Sequence, residues 1–183
     1  MTAQVPPIVK VGELFQAGIV VQDAEKGIRE YGRLFGIAPD SWWVVTIDSS
    51  LCRLTYRGQP SAHSFKAAMV MVGSLMLELL QPLEGMGTYR EFLQQRGEGI
   101  HHLGHVVVPD LDAVVRKMEQ AGFPAVETGE PQGPAQDAGH KWAYIDTTSA
   151  LGYITEYSQG TDPRESFRMY QEYRKKKAGK VQR

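Results

Sequence analysis

What this chain lacks narrows it first. There is one cysteine, Cys52, so no internal disulfide can form, which suits a reducing compartment. Set among Leu51, Arg53 and Leu54, Cys52 reads as a small packed hydrophobe rather than a nucleophile. No apolar run approaches the roughly 18 residues of a membrane span, and the first residues lack the basic-then-apolar order of a signal peptide. The expectation is a cytoplasmic chain with no membrane partner. An excess of one charge is missing too. The 20 basic and 21 acidic residues leave a formal net charge of −1, which argues against nucleic acid as a partner. The one basic cluster, Arg174 to Lys177 with Lys180 and Arg183, reads as a solvated helix end or tail.

What is present fits one globular domain over 1–183. A chain of this length buries roughly 70% of its unfolded surface and needs no staple. Residues 14–21 are mostly apolar and β-rich, a buried strand. Asp23 stands at a helix N-cap. Ile28, Tyr31, Leu34 and Phe35 keep helical spacing, and Gly36 ends the helix. Strands are expected at 42–47, 52–57, 65–72 and 75–80, with Gln81-Pro82 as the stop, and a linking helix from Thr88 to Gln95. The opening pattern then returns: a strand at 101–108, Asp110 as N-cap, and Leu111, Val114, Val115 and Met118 as an amphipathic stripe closed by Gly122. A strand near 124–128, a loop from 129 to 139, strands at 141–146 and 152–158, and a C-terminal helix at about 163–177 complete the reading.

The repeat organises the rest. Gln16-Ala-Gly18-Ile-Val-Val aligns with His102-Leu-Gly104-His-Val-Val at an offset of 86 (102 − 16). Gly36 aligns with Gly122 at the same offset. A strand–helix–strands unit used twice predicts an α+β fold of two modules, about 12–83 and 99–159, related by a pseudo-twofold axis. Equivalent positions should then meet. Gln16 faces His102, and the closing strands place Glu78 opposite Glu156, each in an otherwise apolar run. A buried carboxylate needs a cation, a metal or a proton. Two in matching places, with one imidazole and one amide oxygen, make a shared divalent metal the economical explanation. Zinc comes first, with nickel, cobalt, manganese and magnesium as alternatives.

With the repeat, Gly-Glu-Gly-Ile-His-His (97–102), Leu-Glu-Leu-Leu-Gln-Pro-Leu (77–83) and Gly-Tyr-Ile-Thr-Glu-Tyr (152–157) resemble the vicinal oxygen chelate superfamily. That superfamily holds glyoxalase I, methylmalonyl-CoA epimerase, extradiol dioxygenases and bleomycin or fosfomycin resistance proteins. The likeness is greatest to the epimerases and runs over about residues 14–159. It implies two βαβββ modules cupped as an incomplete barrel around one metal, and a homodimer. Gln16 stands where the epimerases carry His, so the ligand set is similar to that of zinc-binding glyoxalase I. The region Pro60 to Lys66 lacks the epimerases' second catalytic glutamate and offers His63 instead.

The implied chemistry is proton abstraction next to a carbonyl of a small-molecule substrate, an acyl-CoA among the candidates, with an enediolate or enolate stabilised by the metal. Glu156 is the expected ligand and base, with Glu78 or His63 as the opposing acid or base. That describes an isomerase, epimerase or lyase. The alternatives are a non-enzymatic binding protein of the resistance type and an extradiol-type dioxygenase, which needs two histidines where this set has one. His101 and His105 alternate with His102 and should face away from the metal. Trp42 and Trp43 are candidates for a substrate pocket, with at least one expected in the core. Lys141 and Arg90 are expected at the surface.

Overall fold

The protein is described from a computed structural model. It covers residues 6–10, 12–105, 107–132, 140–169 and 171–172, with the side chain of His105 left out. The basic cluster at 174–183, Tyr170 and Tyr173 of the expected C-terminal helix, and the His105 side chain therefore lie outside the described residues.

The two modules are clear in the strand pairing. The first comprises β1 (Leu14–Val20), α1 (Ala24–Phe35), β2 (Trp43–Ile47), β5 (Ser64–Val72) and β6 (Leu75–Glu84). The second comprises β7 (Gly99–His105), α3 (Leu111–Gln120), β8 (Ala125–Pro131), β9 (Lys141–Ile145) and β10 (Ile154–Gln159). Between them runs α2 (Thr88–Arg96). Within one curled α+β half-barrel sheet the first module reads β2-β5-β6-β1 and the second β7-β10-β9-β8, with β1 and β7 joined antiparallel at the centre. Both module helices start as expected. Asp23 Oδ1 accepts the Lys26 N–H at 3.0 Å, and Asp110 Oδ1 accepts the Ala113 N–H at 2.8 Å. Gly36 ends α1 in the left-handed region, φ 71°.

Strand alternation sorts the side chains to two faces. On the outer face α1 packs Ala24 and Ile28 against Ala68, Val70 and Leu79. In the second module, α3 packs Leu111, Val114 and Met118 against Ala143, Ile145 and Tyr157. Each large apolar side chain buried this way contributes roughly 1.5–3 kcal/mol. The concave face collects Phe65, Met69, Met76, Tyr89 and Tyr144 into the inner cluster.

Four details differ from the sequence expectation. Residues 52–57 do not extend the first module's sheet. They form β3 (Cys52–Tyr56), which with β4 (Gln59–Ser61) crosses over and pairs with β8 of the second module. Only residues 48–51 separate β2, at one end of the sheet, from β3, beside β8 near the other, so the sheet must curl until its two ends approach. That partner also carries β8 on to Pro131, into the expected loop. Finally, β6 continues through Pro82 to Glu84. The β1 ladder ends at Leu80, and β5 alone continues alongside, so proline's missing N–H falls where no ladder needs it. A short turn, α4 (Thr148–Leu151), was not anticipated. The C-terminal segment is helical over 163–169, and Phe167 is buried in the inner cluster. Among the described residues, no helix is long and apolar enough to cross a membrane.

Candidate metal centre and its cavity

The two central strands place the four candidate ligands by register. Across β6, β1 and β7, Glu78 lies opposite Gly18 and Gly18 opposite His102. Across β10, β7 and β1, Glu156 lies opposite Gly104 and Gly104 opposite Gln16. The repeated glycines make the room. A Cβ on Gly18 would stand 2.0 Å from His102 Cε1, and one on Gly104 would stand 2.9 Å from Gln16 Cβ and 3.3 Å from Glu156 Oε2.

The four side chains converge and are buried, His102 fully. The Gln16 amide donates to Glu78 Oε2 at 2.6 Å. His102 Nε2 stands 3.0 Å from Glu156 Oε2 and 3.7 Å from Glu78 Oε2. Gln16 Oε1, His102 Nε2 and Glu156 Oε2 are buried without a hydrogen-bond partner. Such orphaned acceptors and lone pairs are costly unless something binds them. Two donors held tetrahedrally at about 2.0–2.1 Å from one ion stand about 3.3 Å apart, and 3.0 and 3.7 Å bracket that value. Among the described residues, no group of three or more His, Cys, Asp and Glu is placed so that it could hold a metal ion. The amide of Gln16 is drawn onto Glu78 instead. The two distances from His102 to the carboxylates and the three orphaned atoms are the observations that fit an ion held by these residues.

Behind the ligands, His101 Nδ1 meets His102 Nδ1 at 3.1 Å and His101 Nε2 meets Thr88 Oγ1 at 3.0 Å. With the His102 Nε2 lone pair free for the centre, one proton arrangement satisfies both contacts. The His102 Nδ1–H donates to His101, and the His101 Nε2–H donates to the threonine hydroxyl. Burial, with His102 adding to it, pushes the His101 pKa well below that of an ordinary histidine, so the ring is neutral and can accept. Burial is also the main force on Glu78. It pushes the carboxyl up to about 7, with Glu156 adding and with His102 and the Gln16 amide opposing.

The centre forms one end of a cavity of about 250 Å³ inside the curl. Gln16, Glu78 and Glu156 are at that end. Trp43, Phe65, Met69 and Trp142 are among the walls, and Pro163 and Ser166 of the C-terminal helix close one side. Two further groups on the wall had no sequence signal. The Tyr89 and Tyr144 hydroxyls hydrogen-bond to each other at 2.6 Å, and Tyr144 stacks on His102 with ring centroids 4.6 Å apart. Burial raises both phenols well above 10, so they remain protonated donors. His140 also lines the cavity, with its Nδ1 3.1 Å from the Thr161 carbonyl, and burial lowers its pKa.

His63 is not brought to these residues. It is absent from the cavity wall and buried elsewhere, with Nδ1 2.9 Å from Ser61 Oγ and Nε2 3.2 Å from Glu127 Oε2. Glu127 in turn accepts the Thr88 N–H at the start of α2, at 3.1 Å. The glycines of the β6–α2 turn close over the ring: a Cβ on Gly87 would stand 2.5 Å from His63 Cδ2. Glu127 interrupts a strand just as Glu78 and Glu156 do, but at the repeat offset its counterpart is Ser41 (127 − 86), so symmetry gave no pointer to it. Trp42 packs under α1 with Ala68 and Val70, while Trp43 faces the cavity. Lys141 pairs with Asp112 at 3.4 Å, and Arg90 donates to the Gly85 and Leu83 carbonyls. Neither lines the cavity.

Comparison with known proteins fits this architecture. A profile of the glyoxalase/bleomycin resistance protein/dioxygenase superfamily matches residues 15–144. A hypothetical protein from Bacillus halodurans superposes with a TM-score of 0.53 at 23% identity, over 82% of this chain and 95% of its own. Methylmalonyl-CoA epimerase from Mycobacterium tuberculosis does so at 0.52 and 22%, over 85% and 93%. A Streptomyces coelicolor methylmalonyl-CoA epimerase variant in complex with 2-nitronate-propionyl-CoA gives 0.56 and 18%, over 83% and 96%. At these identities the likeness is one of fold. No curated protein sequence matches.

Proposed function

The chain belongs to the glyoxalase/bleomycin resistance protein/dioxygenase superfamily, and from that premise we propose a divalent-metal-dependent enzyme that removes the proton next to a substrate carbonyl, an isomerase, epimerase or lyase. One observation carries this reading: three buried donor atoms without partners, Gln16 Oε1, His102 Nε2 and Glu156 Oε2, gathered with Glu78 at the end of a cavity. These four residues would hold the ion, with zinc the first choice for one imidazole and oxygen donors. When bound, the ion supplies Lewis-acid polarisation of the carbonyl.

The chain's own groups do the rest. Glu156 takes the proton α to the carbonyl, its buried Oε2 having no hydrogen-bond partner and standing 3.0 Å from His102 Nε2. Glu78, across the centre, returns a proton, and the face from which it arrives decides between epimerisation and isomerisation. Of the two protons on the Tyr89–Tyr144 pair, one is used between the hydroxyls. The other is available to the oxygen that gains charge, an interaction stronger in the transition state than in the ground state. The apolar walls exclude water from this exchange. His63 takes no part, because it does not line the cavity.

The test is metal content by elemental mass spectrometry on chelator-free preparations of wild type, Glu156→Gln and His102→Ala, followed by exchange of substrate α-protons in D2O. About one ion per chain in wild type, and much less in both variants, is the expected result. No ion in any of them after loading with zinc, nickel, cobalt or manganese would leave a binding cleft of the resistance type as the better reading.

A further inference from the structure

We propose that the cavity accepts an uncharged, largely apolar substrate body, aromatic or alicyclic, and rejects one that carries a carboxylate or phosphate away from its reacting carbonyl. This rests on the metal-dependent reading only for which end of the substrate meets Glu78 and Glu156. The rest follows from the walls.

The cavity is chemically lopsided. Its lining combines the carboxylates of Glu78 and Glu156 with apolar walls that include Trp43, Val45, Ile47, Phe65, Met69 and Trp142. Among the described residues, no lysine or arginine lines it. The cations nearest in sequence are on flanking positions of the same elements and are already paired. Arg53, between inward Cys52 and Leu54, pairs with Glu130. Lys66, between inward Phe65 and Ala67, pairs with Glu25 at 3.6 Å. Arg164, next to Pro163, pairs with Asp162 at 2.8 Å and Glu13 at 3.2 Å. Lys141, between inward His140 and Trp142, pairs with Asp112 at 3.4 Å, and none of these four cations lines the cavity.

An anionic group among the indoles would therefore be desolvated with no cation beside it: the unpartnered Trp142 indole N–H can donate one hydrogen bond but does not neutralise a charge, and His140 Nδ1 is taken by the Thr161 carbonyl. A divalent ion at the centre would not attract it either, since two carboxylates already balance that charge. An aromatic or alicyclic body meets indole and phenyl faces that suit it. At about 250 Å³ the space also lies below the roughly 300–1,000 Å³ of drug-sized sites, so the buried part of the substrate is small.

A matched pair of probes tests this: 1-(4-methylphenyl)propane-1,2-dione and its 4-carboxyphenyl analogue, titrated by calorimetry into the zinc-loaded full-length protein. The neutral dione should bind at least about a hundredfold more tightly. Leu51→Arg, which adds a cation to the wall without touching the centre, should narrow the gap at least tenfold. Equal or tighter binding of the carboxylate by wild type overturns the proposal, as does failure of both probes to bind. The same titration on metal-free protein separates the two readings. A neutral preference that persists when zinc is not taken up sustains the cavity assignment while sinking the metal. Zinc uptake with no neutral preference does the reverse.

Discussion

Replacing Gly18 with alanine tests the centre through one methyl group. The new Cβ would stand 2.0 Å from His102 Cε1 and 2.4 Å from its Nε2. Unbonded heavy atoms rest at about 3.5 Å or more, so the ring or the strand must give by about 1.5 Å. The ring has little space for retreat. It is fully buried, stacked on Tyr144 and held by His101 at 3.1 Å. A metal ligand tolerates displacements of about 0.2 Å. Overpacking of this kind costs about 1–3 kcal/mol of stability. A ligand moved by an ångström should weaken zinc binding at least about a hundredfold, or about 2.7 kcal/mol. Calorimetric titration of chelator-stripped protein with zinc, alongside thermal melting, reads both. Gly27→Ala is the control. Its Cβ would meet only Leu79 Cδ1, at 2.7 Å, the far end of a flexible side chain on the outer face. It should keep wild-type zinc affinity and change stability by no more than about 1 kcal/mol. A folded Gly18→Ala protein that binds zinc like wild type would refute the geometry.

Three other outcomes are expected. His101→Phe keeps the volume but breaks the contact to His102, and zinc affinity should fall about 10–100-fold, with His101→Asn recovering part of it; equal affinities in all three proteins would remove His101 from the centre. In metal-free protein, Glu78 titrates at about 7 when folded against an ordinary 4.5. The raised value means its stabilising effect is complete below about 4.5 and lost as pH rises through 7, by up to about 3 kcal/mol. Chemical denaturation of metal-free protein at pH 5.5 and 8 should show about 2 kcal/mol of that loss in wild type and not in Glu78→Gln; identical slopes with pH would dismiss it. His63→Ala removes the imidazole that faces buried Glu127, which should cost about 1–3 kcal/mol while zinc content stays unchanged. A variant that loses zinc would bring His63 back to the centre.

Much of this architecture is legible in one dimension because it is written in periodicity. Alternation marks strands, the spacing of Ile28 and Tyr31 or of Leu111, Val114 and Met118 marks helices, and the shared offset of Gln16 with His102 and Gly18 with Gly104 marks the duplication. Duplication implies symmetry, and symmetry places Glu78 and Glu156 on either side of the central strands. The destination of β3 could not be read this way, since its local pattern suits either sheet edge and only the curl brings β8 within reach. Nor could Glu127 be distinguished, because it has no symmetry mate and its partners, His63 and the start of α2, are 64 and 39 residues away (127 − 63, 127 − 88).

The sequence by itself determined the two-module plan, the helix caps and the four residues that the repeat sets in matching places. Those depend on local spacing, and spacing survives in a string of letters. Only the tertiary structure decided that Trp43 faces the cavity while Trp42 is core, that His63 pairs with Glu127, and that the Tyr89 and Tyr144 hydroxyls meet beside His102. Each depends on which face of a curled sheet a side chain occupies and on what a distant segment brings opposite it, and closure of the chain in space sets both.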